Sequence, residues 1–411
     1  MTDDSASAGR NSRILLLEGI HPSAEKYLRG KGFTNVTSSP GALDAAQLRA
    51  AVAGAHLLGI RSRTRIDAEG IAAAPGLLAI GCFCIGTNQV DLRAAAFAGV
   101  PVFNAPHSNT RSVAELVIGF AVMLIRDVHR KSLAAHAGRW MKTTGQSQEL
   151  RGKTLGIVGY GHIGSQVSVL AESLGMTVLY HDIEVKLPLG NARPQPTLSD
   201  VLRKADIVTL HVPDTAQTRG LISAERLAEM RPGALLVNTS RGSVVDLAAL
   251  AARLRSGALG GAAIDVFPSE PPTNDAPFES PLRGIENVIL SPHVAGSTLE
   301  AQENIGVEVA RKLANYVLRG ATPGAVNFPA LPLQEPAGGY RILHVHRNVP
   351  GVVRSLNVLV ADAGLNIAGV SLQTQGEIGY AAIDVEGEPT PALAAAVAAV
   401  PATVRSRIVR P

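Results

Sequence analysis

Arg241, Glu270 and His293 are the residues whose types and positions most directly suggest chemistry. Each comes two to four residues after a short apolar run that is typical of a buried strand. In an open α/β sheet, ligands bind beyond the carboxyl ends of the strands. The spacing therefore predicts that a guanidinium, a carboxylate and an imidazole converge on one ligand.

This set of side chains fits the oxidation of a hydroxy acid. A histidine, with an ordinary pKa of about 6.5, can take the hydroxyl proton while a hydride leaves the same carbon. A neighbouring carboxylate orients the ring and favours its charged form, and an arginine fork matches a substrate carboxylate with two hydrogen bonds. Taken singly, the three residues also fit a surface cation, a loop charge and a loop histidine, so the catalytic interpretation depends on all three together.

A glycine-rich turn supplies a candidate cofactor site. Gly159, Gly161 and Gly164 form the pattern G-x-G-x-x-G between a predicted strand over 155–158 and a predicted helix. The first glycine allows a tight turn, the second lets a pyrophosphate approach the backbone, and the third lets the helix pack closely. Asp182 lies 18 residues beyond Gly164, near the spacing of a ribose-binding acid, and a carboxylate there favours NAD over NADP. The alternative is a glycine turn without a ligand.

Short apolar runs alternate with helical stretches along most of the chain. Four such runs before residue 108 and six between 155 and 291 predict buried parallel strands. From residue 341 onward the predicted order is β-α-β-β-α-β, which is the ferredoxin-like plan. The predicted fold class is α/β, with a doubly wound Rossmann nucleotide domain, a discontinuous flavodoxin-like substrate domain and a C-terminal ferredoxin-like domain. The predicted boundaries are a disordered tail over 1–12, a substrate domain over 13–108 plus 300–330, a nucleotide domain over 109–299, a linker over 331–339 and a C-terminal domain over 340–411.

The sequence predicts where one long helix begins. Ser112 and Glu115 have the spacing of a capping box, which predicts that a helix opens there. The residues that follow are apolar on several faces, which is typical of a buried helix or one at a subunit interface.

Composition excludes several functions. The net charge is only +4 and the basic residues are scattered, which disfavours a nucleic-acid partner. Cys82 and Cys84 are the only cysteines, and we expect buried reduced thiols with no metal. No apolar run is long enough for a membrane span, and the first residues lack the apolar core of a signal peptide. We therefore expect a cytoplasmic enzyme with no membrane partner.

Three segments, 238–242, 263–271 and 291–298, read Asn-Thr-Ser-Arg-Gly, Ala-Ile-Asp-Val-Phe-Pro-Ser-Glu-Pro and Ser-Pro-His-Val-Ala-Gly-Ser-Thr. In them the chain resembles the D-2-hydroxyacid dehydrogenase family, and the resemblance covers nearly all of its length. It implies that Arg241 binds the substrate and that His293 and Glu270 form the acid/base pair.

The same resemblance implies further contacts with NAD. Relatives often have a second glycine beside the one at position 296, but this chain has alanine at position 295. The difference bears on the flexibility of a hinge there and not on the chemistry. Asp265 is expected to face the nicotinamide carboxamide. Besides the three glycines and Asp182, the implied NAD-binding residues are His162, Ile163, Thr239, Ser240, Asp265, Ala295 and Gly296.

Within the family, the likeness is greatest to members that oxidise 3-phosphoglycerate, in segments 60–64, 86–91, 103–115 and 300–306. Arg61 and Arg63 follow a predicted strand, where two cations could hold a phosphate. By resemblance, Ser62, Asn109 and Lys142 complete the pocket, with Lys142 contributed by a neighbouring subunit.

The expected reaction is oxidation of 3-phospho-D-glycerate to 3-phosphohydroxypyruvate by NAD, the entry step of L-serine biosynthesis. One alternative keeps the chemistry and changes the acid, as in another D-2-hydroxyacid dehydrogenase or a 2-oxoglutarate reductase. A remote alternative is a NAD-sensing corepressor, which shares the fold and the Arg, Glu and His set but predicts long extensions.

The segment 344–352 resembles the ACT domain, a small amino-acid-sensing module. The resemblance implies that L-serine binds between two paired copies and inhibits the enzyme, at His346, Asn348 and Asn366. Contacts through the long apolar helix, together with pairing of this module, predict a homo-oligomer, either a dimer or a tetramer. The alternative is a dimerisation module without a ligand.

Overall fold

The computed structural model of the chain describes residues 9–144, 147–271, 273, 275–337 and 339–410. They divide into two compact units, Met1–Ser108 with Gln302–Pro411, and Asn109–Ala301. Most of the predicted tail, residues 1–8, and one residue of the predicted linker, Gly338, lie outside the described residues. Ser12 is fully buried, so ordered structure is present before residue 13.

The first unit begins with a parallel sheet of five strands in the order β2-β1-β3-β4-β5. Two of its inner strands, β3 and β4, are buried along their whole length, as expected for a parallel sheet covered on both faces. The sequence predicted four of these strands and missed β2, an edge strand of three residues of which only the first is buried. The elements are β1 Ile14–Leu16, α1 Pro22–Gly30, β2 Val36–Ser38, α2 Ala45–Val52, β3 Leu57–Ile60, α3 Ala68–Ala72, β4 Ala79–Cys82, α4 Leu92–Phe97 and β5 Val102–Phe103.

The second unit contains a parallel sheet of seven strands in the order β12-β11-β10-β9-β6-β7-β8. This is the predicted doubly wound sheet, extended by β8, a two-residue exposed edge strand that the sequence did not indicate. The elements are α5 Thr110–Ile125, α6 Val128–His136, β6 Thr154–Val158, α7 His162–Ser173, β7 Thr177–His181, β8 Arg193–Pro194, α8 Leu198–Lys204, β9 Ile207–Leu210, α9 Ala224–Glu229, β10 Leu235–Asn238, α10 Leu247–Arg255, β11 Gly261–Ile264 and β12 Val288–Leu290.

The predicted capping box at the start of α5 is wrong. The helix begins at Thr110, with Asn109 as its N-cap, so Ser112 lies inside the first turn. The Ser112 hydroxyl hydrogen-bonds the Thr298 hydroxyl at 2.8 Å instead of capping the helix. A long-range partner has replaced the local one that the spacing suggested.

A long helix and an antiparallel sheet complete the first unit. The helix α11, Leu299–Arg319, is followed by the predicted β-α-β-β-α-β order, with strands arranged β14-β15-β13-β16. The C-terminal elements are β13 Gly339–Arg347, α12 Val352–Asp362, β14 Asn366–Gln375, β15 Ile378–Glu386, α13 Pro391–Ala398 and β16 Thr403–Val409. The predicted fold class is therefore confirmed. No helix in the described part of the chain has the length and apolarity needed to cross a membrane.

Within the first unit, arginines of the C-terminal sheet bind the carboxyl end of α11. Arg407 donates to the carbonyl oxygens of Tyr316 and Val317, each at 2.7 Å. Arg341 donates to the carbonyl oxygen of Arg319 at 2.8 Å and pairs with Asp384 at 2.5 and 2.8 Å. Cations are favourable at a helix carboxyl end, where the free carbonyl groups carry partial negative charge.

We expect Asp384→Ala to destabilise the C-terminal domain strongly. The Arg341 side chain is only 3% exposed, so the variant leaves its charge buried without a counter-ion. Removing one partner of a buried pair costs roughly 3–5 kcal/mol, which urea unfolding followed by circular dichroism would measure. The control is Glu335→Ala, which removes an exposed partner of Arg319; an equal loss of stability in both variants would contradict the prediction.

Candidate active site

His293 and Glu270 form a direct pair in the second unit. The Nδ1 atom of His293 lies 3.0 and 2.9 Å from the two carboxylate oxygens of Glu270. His293 has a left-handed backbone with a φ of 54°, an uncommon conformation for a residue other than glycine. Its N–H donates to the carbonyl oxygen of Asp265 at 2.8 Å, which helps to hold the strained turn after β12. Strain of this kind is concentrated at functional sites.

The pair changes the pKa of both partners. The pKa of His293 is raised, chiefly by the hydrogen bond to Glu270, although burial opposes the rise. For Glu270, burial alone would raise the pKa, but the hydrogen bond and charge of His293 outweigh it and the pKa is lowered. The imidazole is therefore held in its charged form to a higher pH than usual, beside an ionised carboxylate.

Arg241 lies close enough to influence both groups. Its charge lowers the pKa of Glu270 and opposes the rise in the pKa of His293. Asn238 positions the arginine, since its amide donates to the Arg241 carbonyl oxygen at 3.0 Å. The next residue, Gly242, has no room for a side chain, because a Cβ atom there would lie 2.0 Å from the Phe267 carbonyl carbon. The structure thus brings the three predicted catalytic residues together.

Asp265 is fully buried beneath this site. Its carboxylate accepts hydrogen bonds from the Ser291 hydroxyl at 2.5 Å and from the N–H groups of Val294 at 3.0 Å and Ala295 at 2.9 Å. Asp265 therefore fixes the loop that carries His293, a task that the sequence did not suggest.

The predicted dinucleotide turn has the geometry that its glycines suggest. Gly159 has a φ of 92°, and a Cβ atom there would lie 2.3 Å from the His211 carbonyl oxygen. A Cβ atom at Gly164 would lie 2.2 Å from the Gly159 carbonyl oxygen, so both positions require glycine. Among the described residues, no atom lies within 4 Å of such an atom at Gly161, and no side chain caps the N-terminus of α7. Open space in front of uncapped N–H groups fits a pyrophosphate.

Other residues predicted to line this site lie nearby in the same unit. Asp182 follows β7 and accepts hydrogen bonds from the N–H groups of Tyr160 at 2.7 Å and Glu184 at 2.9 Å. The Thr239 hydroxyl is buried without a partner among the described residues, which leaves it available to a ligand. The Ser240 hydroxyl is bonded to Asn238 at 2.8 Å. His162 and Ile163 form the first turn of α7.

His211 is a residue of this region that the sequence analysis did not single out. It follows β9, and its Nε2 atom lies 3.0 Å from the Thr209 hydroxyl. Burial lowers its pKa to about 3, so the ring is neutral at ordinary pH. Like Arg241 and His293, it is a polar residue directly beyond the carboxyl end of a strand. The rule that predicted those two residues could therefore have predicted His211.

The positions predicted to bind substrate are divided between the units. Arg61, Ser62 and Arg63 follow β3 in the first unit, with Ser62 and Arg63 exposed and Arg61 half-buried. Asn109 is buried in the second unit, with its Oδ1 atom unpartnered among the described residues. A Cβ atom at Gly296 would lie 2.1 Å from the Asn109 amide nitrogen, so these two predicted residues are neighbours.

Lys142 and Ala295 also belong to the second unit. Lys142 is exposed after α6, and Ala295 is buried. No cluster of three or more His, Cys, Asp or Glu residues suited to a metal ion occurs in the described ranges.

The predicted effector residues do not meet within one chain. His346 ends up buried beside His344, with 3.2 Å between their Nδ1 atoms, and Asn348 donates to the Gly376 carbonyl oxygen at 3.1 Å. Asn366 donates to Glu386 at 2.8 Å. On β15, His346 is opposite Gly379 and Asn366 is opposite Glu386. Gly379 and Glu386 are seven positions apart on β15, which corresponds to about 23 Å along a strand.

We expect Glu270→Gln to lower the pKa of His293. The substitution removes the negative charge that favours the imidazolium while keeping a side chain of the same length. The histidine should then lose its proton at a lower pH, in an NMR titration assigned with a His293→Asn spectrum. Glu279→Gln, an exposed carboxylate paired with Arg283, is the control. An unchanged His293 titration in Glu270→Gln would contradict the prediction.

Known families match two parts of the chain. Residues 118–295 match the NAD binding domain of D-isomer specific 2-hydroxyacid dehydrogenases, and residues 342–405 match an AHAS small subunit-like ACT domain.

Relatives match along almost all of the chain. The D-3-phosphoglycerate dehydrogenase of Escherichia coli strain K12 is 54% identical over 400 residues, covering 96% of this chain and 97% of the relative. That of Haemophilus influenzae is 51% identical over 396 residues, with the same coverage.

Among solved structures, D-2-hydroxyisocaproate dehydrogenase has a TM-score of 0.69 at 25% identity, covering 76% of this chain and 99% of that one. The NADPH-dependent glyoxylate/hydroxypyruvate reductase of Sinorhizobium meliloti has a TM-score of 0.65 at 28% identity, covering 77% and 97%. The chain therefore belongs to the D-isomer specific 2-hydroxyacid dehydrogenases and is an NAD-dependent dehydrogenase with a C-terminal ACT domain.

Proposed function

We propose that this enzyme oxidises 3-phospho-D-glycerate to 3-phosphohydroxypyruvate, the entry step of L-serine biosynthesis. The observation that carries the proposal is the His293–Glu270 pair beside Arg241, on the sheet that also carries the dinucleotide turn. Relatives of more than 50% identity that are named D-3-phosphoglycerate dehydrogenase support this choice of acid.

The three side chains divide the reaction between them. His293 takes the proton of the C2 hydroxyl while the C2 hydrogen leaves as a hydride and the carbonyl bond forms. Glu270 stabilises the imidazolium that results, and its hydrogen bond to Nδ1 leaves Nε2 as the atom that receives the proton. Arg241 holds the substrate carboxylate and stabilises charge on the oxygen of C2. Bound NAD supplies the acceptor for the hydride.

We assign the cofactor contacts from the same geometry. The uncapped N–H groups of α7, which includes His162 and Ile163, would hold the pyrophosphate, and each oxygen of Asp182 retains a lone pair that could accept from a ribose hydroxyl. A 2′-phosphate would meet the negative charge of Asp182, which favours NAD over NADP. The remaining residues at the nicotinamide end are Thr239, Ser240, Asp265, Ala295 and Gly296.

The phosphate of the substrate is assigned to the loop after β3. Arg61 and Arg63 are two cations separated in the sequence by one residue, and a phosphate binds two guanidinium groups well. Ser62, Asn109 and Lys142 complete this assignment. A dehydrogenase for an unphosphorylated 2-hydroxy acid has no need of the arginine pair, so the pair separates the proposal from that alternative.

Spectrophotometric assay of NADH formation from 3-phosphoglycerate and NAD tests the proposal. We expect Arg61→Ala to raise KM for 3-phosphoglycerate by roughly ten- to a hundredfold, because a charge-assisted hydrogen bond contributes about 1.5–3 kcal/mol. The rate of glyoxylate reduction should change little, because that acid has no second anionic group. The exposed arginine of β8, in Arg193→Ala, is the control. Failure of the wild-type enzyme to oxidise 3-phosphoglycerate would refute the proposal.

The ACT domain supports a second part of the proposal, feedback inhibition by L-serine bound between two copies. The edge strand β14 is ten residues long and exposes Val370 and Leu372, by 45% and 41%. A long, apolar edge of this kind is suited to pairing with another strand. Two β14 strands paired antiparallel about residue 370 would place Asn366 of one copy opposite position 374 of the other. That end of β14 is close to Asn348, which bonds Gly376.

We expect L-serine to lower the velocity of 3-phosphoglycerate oxidation, and Asn366→Ala to raise the half-inhibiting serine concentration at least about tenfold. The loss of one amide ligand accounts for the weaker binding. Ser355→Ala, an exposed residue of the same domain, is the matched control. A serine titration that changes neither the velocity nor the amide hydrogen exchange of the wild-type enzyme would overturn the regulatory proposal.

A further inference from the structure

The loop after β3 is held by a buried carboxylate. Glu18 follows β1, and its side chain is only 1% exposed. One carboxylate oxygen accepts hydrogen bonds from the N–H groups of Arg61 at 3.0 Å and Thr64 at 2.8 Å. The other oxygen accepts a hydrogen bond from the N–H of Arg63 at 3.0 Å. Three backbone donors of a four-residue loop thus converge on one carboxylate.

The backbone of Glu18 itself is adapted to this contact. Its φ of 62° is left-handed, which costs free energy in a residue other than glycine. Such a conformation persists only where the surroundings fix it, and here three hydrogen bonds to the side chain do so. The Glu18 side chain therefore binds the loop after β3 and does not face solvent.

A second side chain, that of Gln89, binds a carbonyl oxygen of the same loop. The amide of Gln89, which is 8% exposed, donates to the Arg61 carbonyl oxygen at 2.6 Å. The peptide groups on both sides of Arg61 are thereby fixed, one through its N–H by Glu18 and the other through its carbonyl by Gln89.

We propose that Glu18 is a positioning residue for the substrate phosphate, acting through the loop that carries Arg61 and Arg63. This inference rests on the proposed oxidation of a phosphorylated acid. A cluster of backbone N–H groups binds anions by itself. With these groups satisfied by Glu18, the phosphate is left to the two guanidinium groups, whose positions depend on the clamped backbone.

The proposal makes a prediction opposite to that of simple electrostatics. Glu18 is negatively charged, and its carboxylate lies 3.9 Å from the Nε atom of Arg63. If charge repulsion dominated, removing this charge would strengthen phosphate binding. If positioning dominates, the same change weakens binding, because a buried donor loses its acceptor.

Glu18→Gln separates these cases. The amide oxygen can still accept from two N–H groups, but the NH₂ group opposes the remaining donor in the loop. We expect KM for 3-phosphoglycerate to rise about tenfold, as for roughly 1.4 kcal/mol of lost binding, while kcat and KM for NAD stay within about twofold. The kcat/KM for glyoxylate reduction should not change, since that acid carries neither a phosphate nor a second carboxylate.

Two further variants make the test specific. Glu25→Gln changes a half-buried carboxylate of α1 that bonds Arg29 and Ser38 away from this loop, and should leave every constant unchanged. Gln89→Met removes the donor to the Arg61 carbonyl oxygen at similar volume and should reproduce the selective rise in KM, even if Glu18→Gln fails to fold.

An unchanged or lower KM for 3-phosphoglycerate in Glu18→Gln, or an equal loss with both acids, would overturn the inference. Hydrogen exchange at the amides of Arg61, Arg63 and Thr64 gives a readout that needs no substrate. Exchange should be faster in Glu18→Gln than in the wild type, and equal rates would also overturn it. If the wild-type enzyme does not oxidise 3-phosphoglycerate, the proposed function fails, and the exchange measurement still decides whether Glu18 holds the loop.

Discussion

The hydrogen bond between His293 and Glu270 depends on the parallel arrangement of three neighbouring strands. Arg241, Glu270 and His293 follow β10, β11 and β12, which are adjacent in the sheet. Parallel strands bring their carboxyl ends to one edge, so residues 52 positions apart in sequence reach one place. Neither an antiparallel hairpin nor a single helix could collect a base, its partner and a carboxylate-binding cation from such distant segments.

Buried or half-buried carboxylates hold the loops that follow the strands. Asp265 binds the N–H groups of the loop that carries His293, and Asp182 binds the N–H of Tyr160 in the dinucleotide turn. Glu18 binds three N–H groups of the loop that carries Arg61. In each case an acid beyond one strand fixes a turn beyond another, where irregular backbone would otherwise lack partners. Such bonds to charged groups are stronger than neutral ones, and therefore suit loops that must hold a fixed shape.

The sequence predicted what depends on local pattern or on the carboxyl-edge rule. The inner strands, the glycine turn and the three residues of the active site follow from these two regularities. The role of Glu18 does not, because its partners lie 43 to 46 residues away and the segment Leu17-Glu-Gly shows no pattern beyond a charge in a turn. Ser112 shows the opposite case, in which a local pattern was present but a contact with Thr298 replaced it. The edge strands were missed because two or three residues with little burial give no periodicity.

The C-terminal domain is joined to the rest of the first unit by contacts that bear on how an effector could act. Arg341 and Arg407 bind the carboxyl end of α11, a continuous helix of 21 residues. Near the middle of this helix, Glu308 bonds Ser108, the last residue of the first segment of this unit, and Lys312, with 2.6 Å between Nζ and Oε1. Burial opposes ionisation of Glu308, but these two bonds outweigh it and lower its pKa, so the carboxylate stays charged. A ligand that prefers one arrangement of the C-terminal sheet can act on the rest of the unit through these contacts with α11 and through those of Arg405 with the carbonyl oxygens of Leu77 and Pro75. An effector shifts an equilibrium only through the contacts that differ between its states.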